Sequence, residues 1–167
     1  MESKDKQSFF VPDPEKQTLK LIEKNDDDQF ELELLEKHQL THDTFRIVFK
    51  LPHPDQVMGL PVGGHLFFHV EEGGEVWSRK YTPTSVINER GKIEFVIKAY
   101  NPNDEFPKGG KVSVYLSNMK VGDKIKMEGP KGLLFYYGDG NFELRKKPLK
   151  KTSVGLIAGG TGITPCY

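Results

Sequence analysis

The stretch FELELL at residues 30–35 places apolar side chains at every second position, and this pattern sets the expectation for the whole fold. A period of two is typical of a strand that buries one face. Five further stretches of this kind follow, separated by turn-forming clusters: 44–51, 65–70, 76–81, 93–100 and 123–128. Because closure removes exposed strand edges, six short strands at this spacing predict a mainly β protein built as an antiparallel barrel.

One helix is predicted after the fifth strand. Between Lys111 and Met119, apolar side chains recur at intervals of three and four residues, which is the helical period. Gly109 and Gly110 stand immediately before this segment. Backbone N–H groups at the start of a helix lack partners and carry the positive end of the helix dipole, so this position favours an anion.

The C-terminal part of the sequence predicts a change of architecture. Residues 145–153 are basic and interrupted by proline, and we interpret them as a linker. Residues 154–158 are continuously apolar and precede the glycine turn GGTGITP at 159–165. A strand that is apolar on both faces is typical of a parallel sheet covered by helices. We therefore expect 154–167 to be the first strand and turn of an α/β domain, with the remainder of that domain absent.

Composition excludes several classes of function. The 167 residues contain 24 basic and 24 acidic side chains, so no broad positive field is available for a nucleic-acid backbone. Cys166 is the single cysteine, which favours a reducing compartment, and no metal site is expected. The sequence has no apolar run of about 18 residues that would predict a membrane anchor. Residues 1–28 are read as a tail and lead-in to the barrel at 29–144.

Two segments of the barrel carry residue types that suit a phosphorylated, flat ligand. Arg79 offers a guanidinium fork for phosphate, Tyr81 a ring for stacking and Thr82 a hydroxyl. The segment 109–113 offers amides, a cation and a hydroxyl at the helix start. Each feature alone is common, but together they could grip both ends of a flavin cofactor.

Five motifs in this order carry a family resemblance: RKYTP at 79–83, IKAY at 97–100, GGKVS at 109–113, EGPKG at 128–132 and GGTGITP at 159–165. The sequence resembles the NADH-cytochrome b5 reductases, within the ferredoxin reductase superfamily, over about residues 30–167. The resemblance implies a six-stranded Greek-key barrel that binds FAD, followed by the start of an NADH-binding domain.

The resemblance also implies roles for individual residues. Thr82 is expected beside flavin N5, with His65 behind it as a relay partner, and these are the candidate catalytic residues. Arg79 is expected to pair with the FAD pyrophosphate and Tyr81 to lie against the isoalloxazine ring. The implied cofactor-binding set is Arg79, Lys80, Tyr81, Thr82, Val96, Lys98, Lys111, Val112, Ser113 and Thr164. For His65 and Lys98, an ordinary strand position without a functional role remains the alternative.

The sequence departs from the family pattern at several positions. Lys80 and Val112 stand where the family often has Pro and Met, and both contacts would be made by the backbone. Asn101 stands where an aromatic residue often follows, which puts the adenine contact there in doubt. Phe106 either substitutes as a neighbour of the adenine or packs against the helix.

The function implied by the resemblance is that of a flavoprotein reductase. FAD would take hydride from NADH and pass single electrons to a haem protein such as cytochrome b5, while the truncated chain alone is expected to be inactive with NADH. Two alternatives stay open: the flavin module of another reductase, as in nitrate reductase, and a non-catalytic β-barrel that binds a partner. The expected location is cytoplasmic, with membrane association on the cytosolic face of the endoplasmic reticulum or mitochondrial outer membrane compatible with a longer form.

Overall fold

A computed structural model describes residues 20–22 and 28–167 of the chain. Most of the predicted tail at 1–28 therefore lies outside the described residues. The main elements are strands β1 (Asp28–Gln39), β2 (Thr44–Lys50), β3 (His65–Glu72), β4 (Glu75–Tyr81), β5 (Lys92–Lys98) and β6 (Lys124–Lys131), with helix α1 (Lys111–Asn118) before β6. The six predicted strands and the predicted helix are thus confirmed, with boundaries shifted by at most four residues.

The six strands form one antiparallel sheet in the order β4-β3-β6-β1-β2-β5. Alternation decides which face is buried: Leu66, Phe68 and Val70 of β3 point inward between half-buried neighbours. Phe68 meets both Phe49 and Phe95 edge to face, at ring-centroid distances of 5.7 and 4.9 Å. This aromatic centre, together with the aliphatic residues around it, is the core on which the curled sheet closes.

The barrel is incomplete between its two edge strands. No ladder joins β4 to β5 among the described strands, and the chain just after β4 reaches β5 through a backbone hydrogen bond from Thr84 N–H to the Glu94 carbonyl, 2.9 Å long. Helix α1 contacts β3 and β4 beside the gap.

A lysine from β1 holds the C-terminal end of helix α1. The Lys37 ammonium donates hydrogen bonds to the carbonyl oxygens of Ser117 and Met119, at 2.7 and 2.5 Å. These carbonyls have no partners within the helix, and a cation also suits the negative end of the helix dipole. Lys37 therefore fixes the orientation of α1 relative to the sheet.

Replacing Lys37 with methionine is expected to lower the free energy of unfolding by about 1–2 kcal/mol, the scale of a charge-assisted hydrogen bond at a helix end. Urea denaturation measures this change. Lys124→Met, at an exposed position of β6, is the control. Equal midpoints for Lys37→Met and the wild type would contradict the capping role.

Short strands follow the six-stranded sheet, and the last of them overlaps the expected linker at 145–153. Three short strands, β7 (Leu134–Tyr136), β8 (Asn141–Leu144) and β9 (Lys147–Lys150), form a second antiparallel sheet. The turn before β9 places Arg145 and Lys146 at positive φ, without the glycine or asparagine that usually marks such a turn. Pro148 is tolerated because β9 is an edge strand. The domain division at 145–153 stays a prediction.

The predicted strand at 154–158 is not formed in the structure. These residues join no ladder, and Ile157 is 99% exposed. A strand needs neighbours for its N–H and C=O groups, and no described strand lies beside this segment. The chain continues into a 3₁₀ helix, η1 (Gly160–Cys166). Within the described residues, no helix is long and apolar enough to cross a membrane.

Candidate functional site

A cavity of about 740 Å³ occupies the gap between β4, β5 and the N-terminus of α1. Its volume lies within the usual range for sites that bind small molecules and cofactors. All eleven residues selected from the sequence line this cavity: His65, Arg79, Lys80, Tyr81, Thr82, Val96, Lys98, Lys111, Val112, Ser113 and Thr164. The structure therefore brings them together, while their roles toward a ligand stay predictions.

Strand β4 contributes a basic and an aromatic side chain on one face. Arg79 is exposed, and its guanidinium donates to the carbonyl of Ser78 at 2.8 Å. The Tyr81 ring packs against Phe68, with 4.9 Å between centroids, and burial raises the pKa of its phenol to about 12. Tyr81 is therefore a neutral, partly fixed ring at the cavity wall. Lys80 lies 5.8 Å above the Phe67 ring.

Thr82 follows the last residue of β4 and lines the cavity. It also lines a second cavity of about 390 Å³ that lies next to the loop 82–89. Thr82 is thus the residue that the linings of the two cavities share. Thr82 is half-buried.

His65 begins β3 and lines the same cavity as Thr82. Its ring meets Phe67 edge on, at 5.8 Å between centroids. Burial, and then the charges of Lys80 and Lys131, lower the pKa of this imidazole below 6.5. His65 is therefore neutral at pH 7 and can both donate and accept a hydrogen bond.

This shift predicts how stability depends on pH. Because the folded state disfavours the protonated ring, the unfolded state binds more protons, and the His65 contribution to stability is lost as the pH falls below about 6.5. The loss of unfolding free energy between pH 7.5 and 5.5 is expected to be smaller in His65→Gln than in the wild type. Parallel urea denaturation curves at the two pH values measure the difference. Identical losses in both proteins would contradict it.

Strand β5 contributes Val96 and Lys98. The Lys98 ammonium lies 3.1 Å from the Asp43 carboxylate. This contact is the largest cause that lowers the pKa of Asp43 to about 2, with Thr41 and Thr44 also donating to the carboxylate. Asp43 therefore stays charged and tethers Lys98 at the cavity mouth.

The start of helix α1 presents bare backbone to the cavity. Gly109 adopts a φ of +59°, which favours glycine. A Cβ on Gly110 would stand 2.5 Å from the Ser113 hydroxyl oxygen and 3.1 Å from the Tyr100 Cβ. No acceptor among the described residues takes the amide hydrogens of residues 111–113. Three aligned N–H donors are therefore available to an anion.

The side chains at this helix start are already engaged. The Ser113 hydroxyl donates to the Gly110 carbonyl and accepts from the Tyr100 amide, both at 3.1 Å. Lys111 lies 2.9 Å from the Glu72 carboxylate, which raises its pKa. The predicted contacts of Lys111 and Ser113 would therefore be made first by their amides.

The cavity is positively charged although the chain is neutral overall. Five cationic side chains line it, and no Asp or Glu does among the described residues: Arg79, Lys80, Lys98, Lys108 and Lys111. Low-dielectric walls strengthen the field of clustered charges. The cavity is therefore suited to an anionic ligand.

The 3₁₀ helix η1 forms the remaining wall. Thr161 and Thr164 line the cavity, and the Thr164 hydroxyl donates to the Thr161 carbonyl at 3.3 Å. The hydroxyl groups of Thr161 and Tyr100 lie 3.1 Å apart. The glycine turn thus contacts the barrel at Tyr100, while the role of Thr164 toward a flavin stays a prediction.

Sequence reasoning missed several lining residues. Trp77, Tyr100 and Lys108 contact the cavity without having been assigned a role. The alternation that places Arg79 and Tyr81 on one face of β4 also includes Trp77, so this signal was present. Phe106 lies at the cavity and is 46% exposed, which favours a ligand contact over close packing against the helix.

Comparisons with known proteins identify relatives of this chain. Residues 31–136 match the family model described as the oxidoreductase FAD-binding domain. The chain is 44% identical to rat (Rattus norvegicus) NADH-cytochrome b5 reductase 3, over 84% of this chain and 50% of the relative. It is 45% identical to NADH-cytochrome b5 reductase 2 of Gallus gallus, over 82% and 48%. The chain thus spans about half the length of these relatives.

A solved structure shows the same fold. The cytochrome b5 reductase domain of Ulva prolifera nitrate reductase superposes with a TM-score of 0.79 at 37% identity. The superposition covers 84% of this chain and 54% of the solved chain. The chain is therefore similar in fold to a reductase domain that is one part of a larger enzyme.

Proposed function

Because this chain belongs to the oxidoreductase FAD-binding domain family, we propose that it is the FAD-holding module of an NADH-dependent reductase of the cytochrome b5 reductase type. The match over residues 31–136 and the identities of 44% and 45% to two such reductases support the proposal. In the complete protein, bound FAD would accept hydride from NADH and return electrons singly to an acceptor.

The observation that carries the proposal is the meeting of Arg79 with the amides of residues 111–113 in one cavity. A diphosphate needs a guanidinium fork or several N–H donors, and this cavity offers both. The absence of a side chain at Gly110 leaves room for close approach to the backbone. The residues present therefore fit the diphosphate of FAD.

The remaining residues fit the ring end of the cofactor. Tyr81 offers a neutral aromatic face, and Val96 offers apolar contact from β5. Thr82 is assigned to flavin N5 from the family pattern, where its hydroxyl or amide would donate a hydrogen bond. Neutral His65 would hold or pass a proton behind Thr82. Lys98, tethered by Asp43, would face the nicotinamide dinucleotide.

The proposed acceptor is cytochrome b5 or a similar haem protein. The basic hairpin around Arg145 and Lys146 is exposed and would suit an acidic surface. The match to the nitrate reductase domain supports a second candidate, in which the module passes electrons within a larger enzyme. In either case residues 154–167 would begin the NADH-binding domain. The proposed location is the cytoplasm, where a single free cysteine stays reduced.

Titration of the purified chain with FAD tests the proposal. We expect quenching of flavin fluorescence that saturates at one FAD per chain, with weaker binding of riboflavin because it lacks the diphosphate. FMN separates the contribution of one phosphate from that of two. Equal affinities for FAD and riboflavin would contradict the assigned diphosphate site and would favour a barrel that serves another purpose.

Thr82→Val tests the assignment to N5. The variant is expected to bind FAD within about threefold of the wild type, since a single neutral hydrogen bond contributes about 1 kcal/mol or less. The midpoint potential of the bound flavin is expected to fall, because a donor that stabilises the reduced, negatively charged ring is lost. Spectroscopic redox titration measures the potential. Thr152→Val, at an exposed position outside the cavity, is the control. A potential that is unchanged in Thr82→Val would refute a hydrogen bond from the Thr82 hydroxyl to N5, because the variant keeps the backbone amide.

A further inference from the structure

The opening between β4 and β5 is closed on one side by a cluster of three contacts to Glu94. The Thr84 amide donates to the Glu94 carbonyl at 2.9 Å, and the Glu94 amide donates to the Ser85 hydroxyl at 3.2 Å. The Thr84 hydroxyl donates to the Glu94 carboxylate at 3.3 Å. The loop that follows β4 is therefore joined to β5 at Glu94, by two contacts to its backbone and one to its carboxylate.

The Glu94 carboxylate is itself held in place from the neighbouring strand. Arg46 of β2 donates from Nε to its second oxygen at 2.5 Å, and the Arg46 guanidinium also lies 3.4 Å from Glu36. The Glu94 side chain is 24% exposed. A half-buried carboxylate with a guanidinium on one oxygen and a hydroxyl on the other has little freedom to rotate.

The chain between this cluster and the cavity is short and stiff. Pro83 separates Thr82 from Thr84, and its ring fixes its own φ. A residue that precedes proline is also restricted to extended conformations. The position of Thr84 therefore constrains the position of Thr82 on the cavity wall.

We propose that Glu94 is a positioning residue whose carboxylate, oriented by Arg46, holds Thr82 at the cavity through the Thr84 hydroxyl. The backbone of Glu94 adds the bonds to the Thr84 amide and the Ser85 hydroxyl. Glu94 does not line the cavity and so acts through the loop. The consequence for a bound flavin rests on the proposed function. The claim that Glu94 fixes the position of residues 82–85 does not depend on the proposed function.

Amide hydrogen exchange in the ligand-free chain tests whether Glu94 fixes residues 82–85. Glu94→Ala keeps the backbone carbonyl that accepts from the Thr84 amide and removes only the carboxylate contacts. Exchange at the Thr84 amide is therefore expected to accelerate by about fivefold relative to the wild type, the scale of one lost hydrogen bond, with little change at the core amides of β3. Glu94→Gln keeps an oxygen for the Thr84 hydroxyl and is expected to restore most of the protection. Glu89→Gln, which removes a nearby carboxylate 3.7 Å from Lys92, is the matched control.

Thr84→Val keeps the proposal testable if Glu94→Ala unfolds. This variant removes only the hydroxyl contact and is expected to accelerate exchange at the Thr84 amide by a smaller factor. The double variant Thr84→Val/Glu94→Gln is expected to accelerate exchange by less than the product of the two single-variant factors. The reason is that both substitutions act on the same contact, between the Thr84 hydroxyl and the Glu94 carboxylate. Unchanged exchange in both Thr84→Val and Glu94→Ala, or uniform acceleration over the whole sheet, would overturn the proposal.

A second measurement extends the test to the bound cofactor. In FAD-loaded Glu94→Ala, the flavin midpoint potential is expected to shift in the same direction as in Thr82→Val, while the dissociation constant for FAD changes less than threefold. A normal potential together with faster loop exchange would overturn the link to Thr82. If the wild type binds no FAD, the proposed function fails, and the exchange experiment still decides whether Glu94 fixes the loop.

Discussion

Arg79→Ala is expected to weaken FAD binding by about 10- to 100-fold. A hydrogen bond to a charged group contributes about 1.5–3 kcal/mol, and a tenfold change in affinity corresponds to about 1.4 kcal/mol. The Arg79 guanidinium is exposed, and its one short contact is to the carbonyl of the adjacent Ser78. It is therefore free to turn toward a diphosphate at little cost. Fluorescence titration of FAD into the purified variant measures the loss.

The control for this prediction is Arg90→Ala. Arg90 is also exposed and also donates to a carbonyl, that of Asp55 at 2.7 Å, but it lies outside the cavity. Its removal is expected to leave the FAD dissociation constant within twofold of the wild-type value. Equal affinities in Arg79→Ala and Arg90→Ala would refute the phosphate role of Arg79.

Gly110→Val is expected to reduce FAD affinity by at least about 100-fold, which corresponds to about 2.8 kcal/mol. Its Cβ would stand 2.5 Å from the Ser113 hydroxyl oxygen, which is held by the Gly110 carbonyl and the Tyr100 amide. The side chain would therefore disturb the first turn of α1 and cover the amides of residues 111–113. Several charge-assisted contacts would be lost together. The same titration, with circular dichroism to follow the fold, measures the effect.

Gly155→Val controls for the general cost of adding a side chain. No atom lies within 4 Å of the Cβ position at Gly155, and this glycine is not part of the cavity. We expect wild-type affinity in this variant. FAD affinity in Gly110→Val within threefold of the wild type would show that the helix start is not the diphosphate site.

The barrel could be predicted because its strands bury one face each. A period of two in stretches such as 65–70 directly reports the burial of Leu66, Phe68 and Val70. Helix α1 was predictable for the corresponding reason, since its apolar residues follow the helical period. Patterns of this kind report local burial, so they locate elements with an error of a few residues.

The second sheet and the C-terminal segment could not be predicted in this way. Strand β9 is short, basic and interrupted by Pro148, and its turn uses Arg145 and Lys146 at positive φ in place of glycine. Its pairing with β8 depends on non-local contacts that no period records. Residues 154–158 have the composition of a buried strand, but composition does not supply the neighbouring strands that such a segment needs.

The sequence predicted which residues line the site, but not the ion pairs and hydrogen bonds that hold them in place. The motifs identified Arg79, Lys98 and Ser113, and the structure places them around one cavity. The tether from Asp43 to Lys98 joins residues 55 positions apart in the sequence, and the contacts of Glu94 join three separate segments. Such pairs can be identified only when the register between strands is known. The chain has many acidic and many basic side chains, and the sequence alone does not say which of them lie side by side.

A crystal structure of this chain with FAD tests the central claim most directly. We expect the diphosphate to accept hydrogen bonds from the amides of residues 111–113 and from Arg79, with the isoalloxazine ring against Tyr81. A flavin bound in the smaller cavity beside the loop 82–89, or a diphosphate more than 6 Å from both Arg79 and the start of α1, would contradict the account.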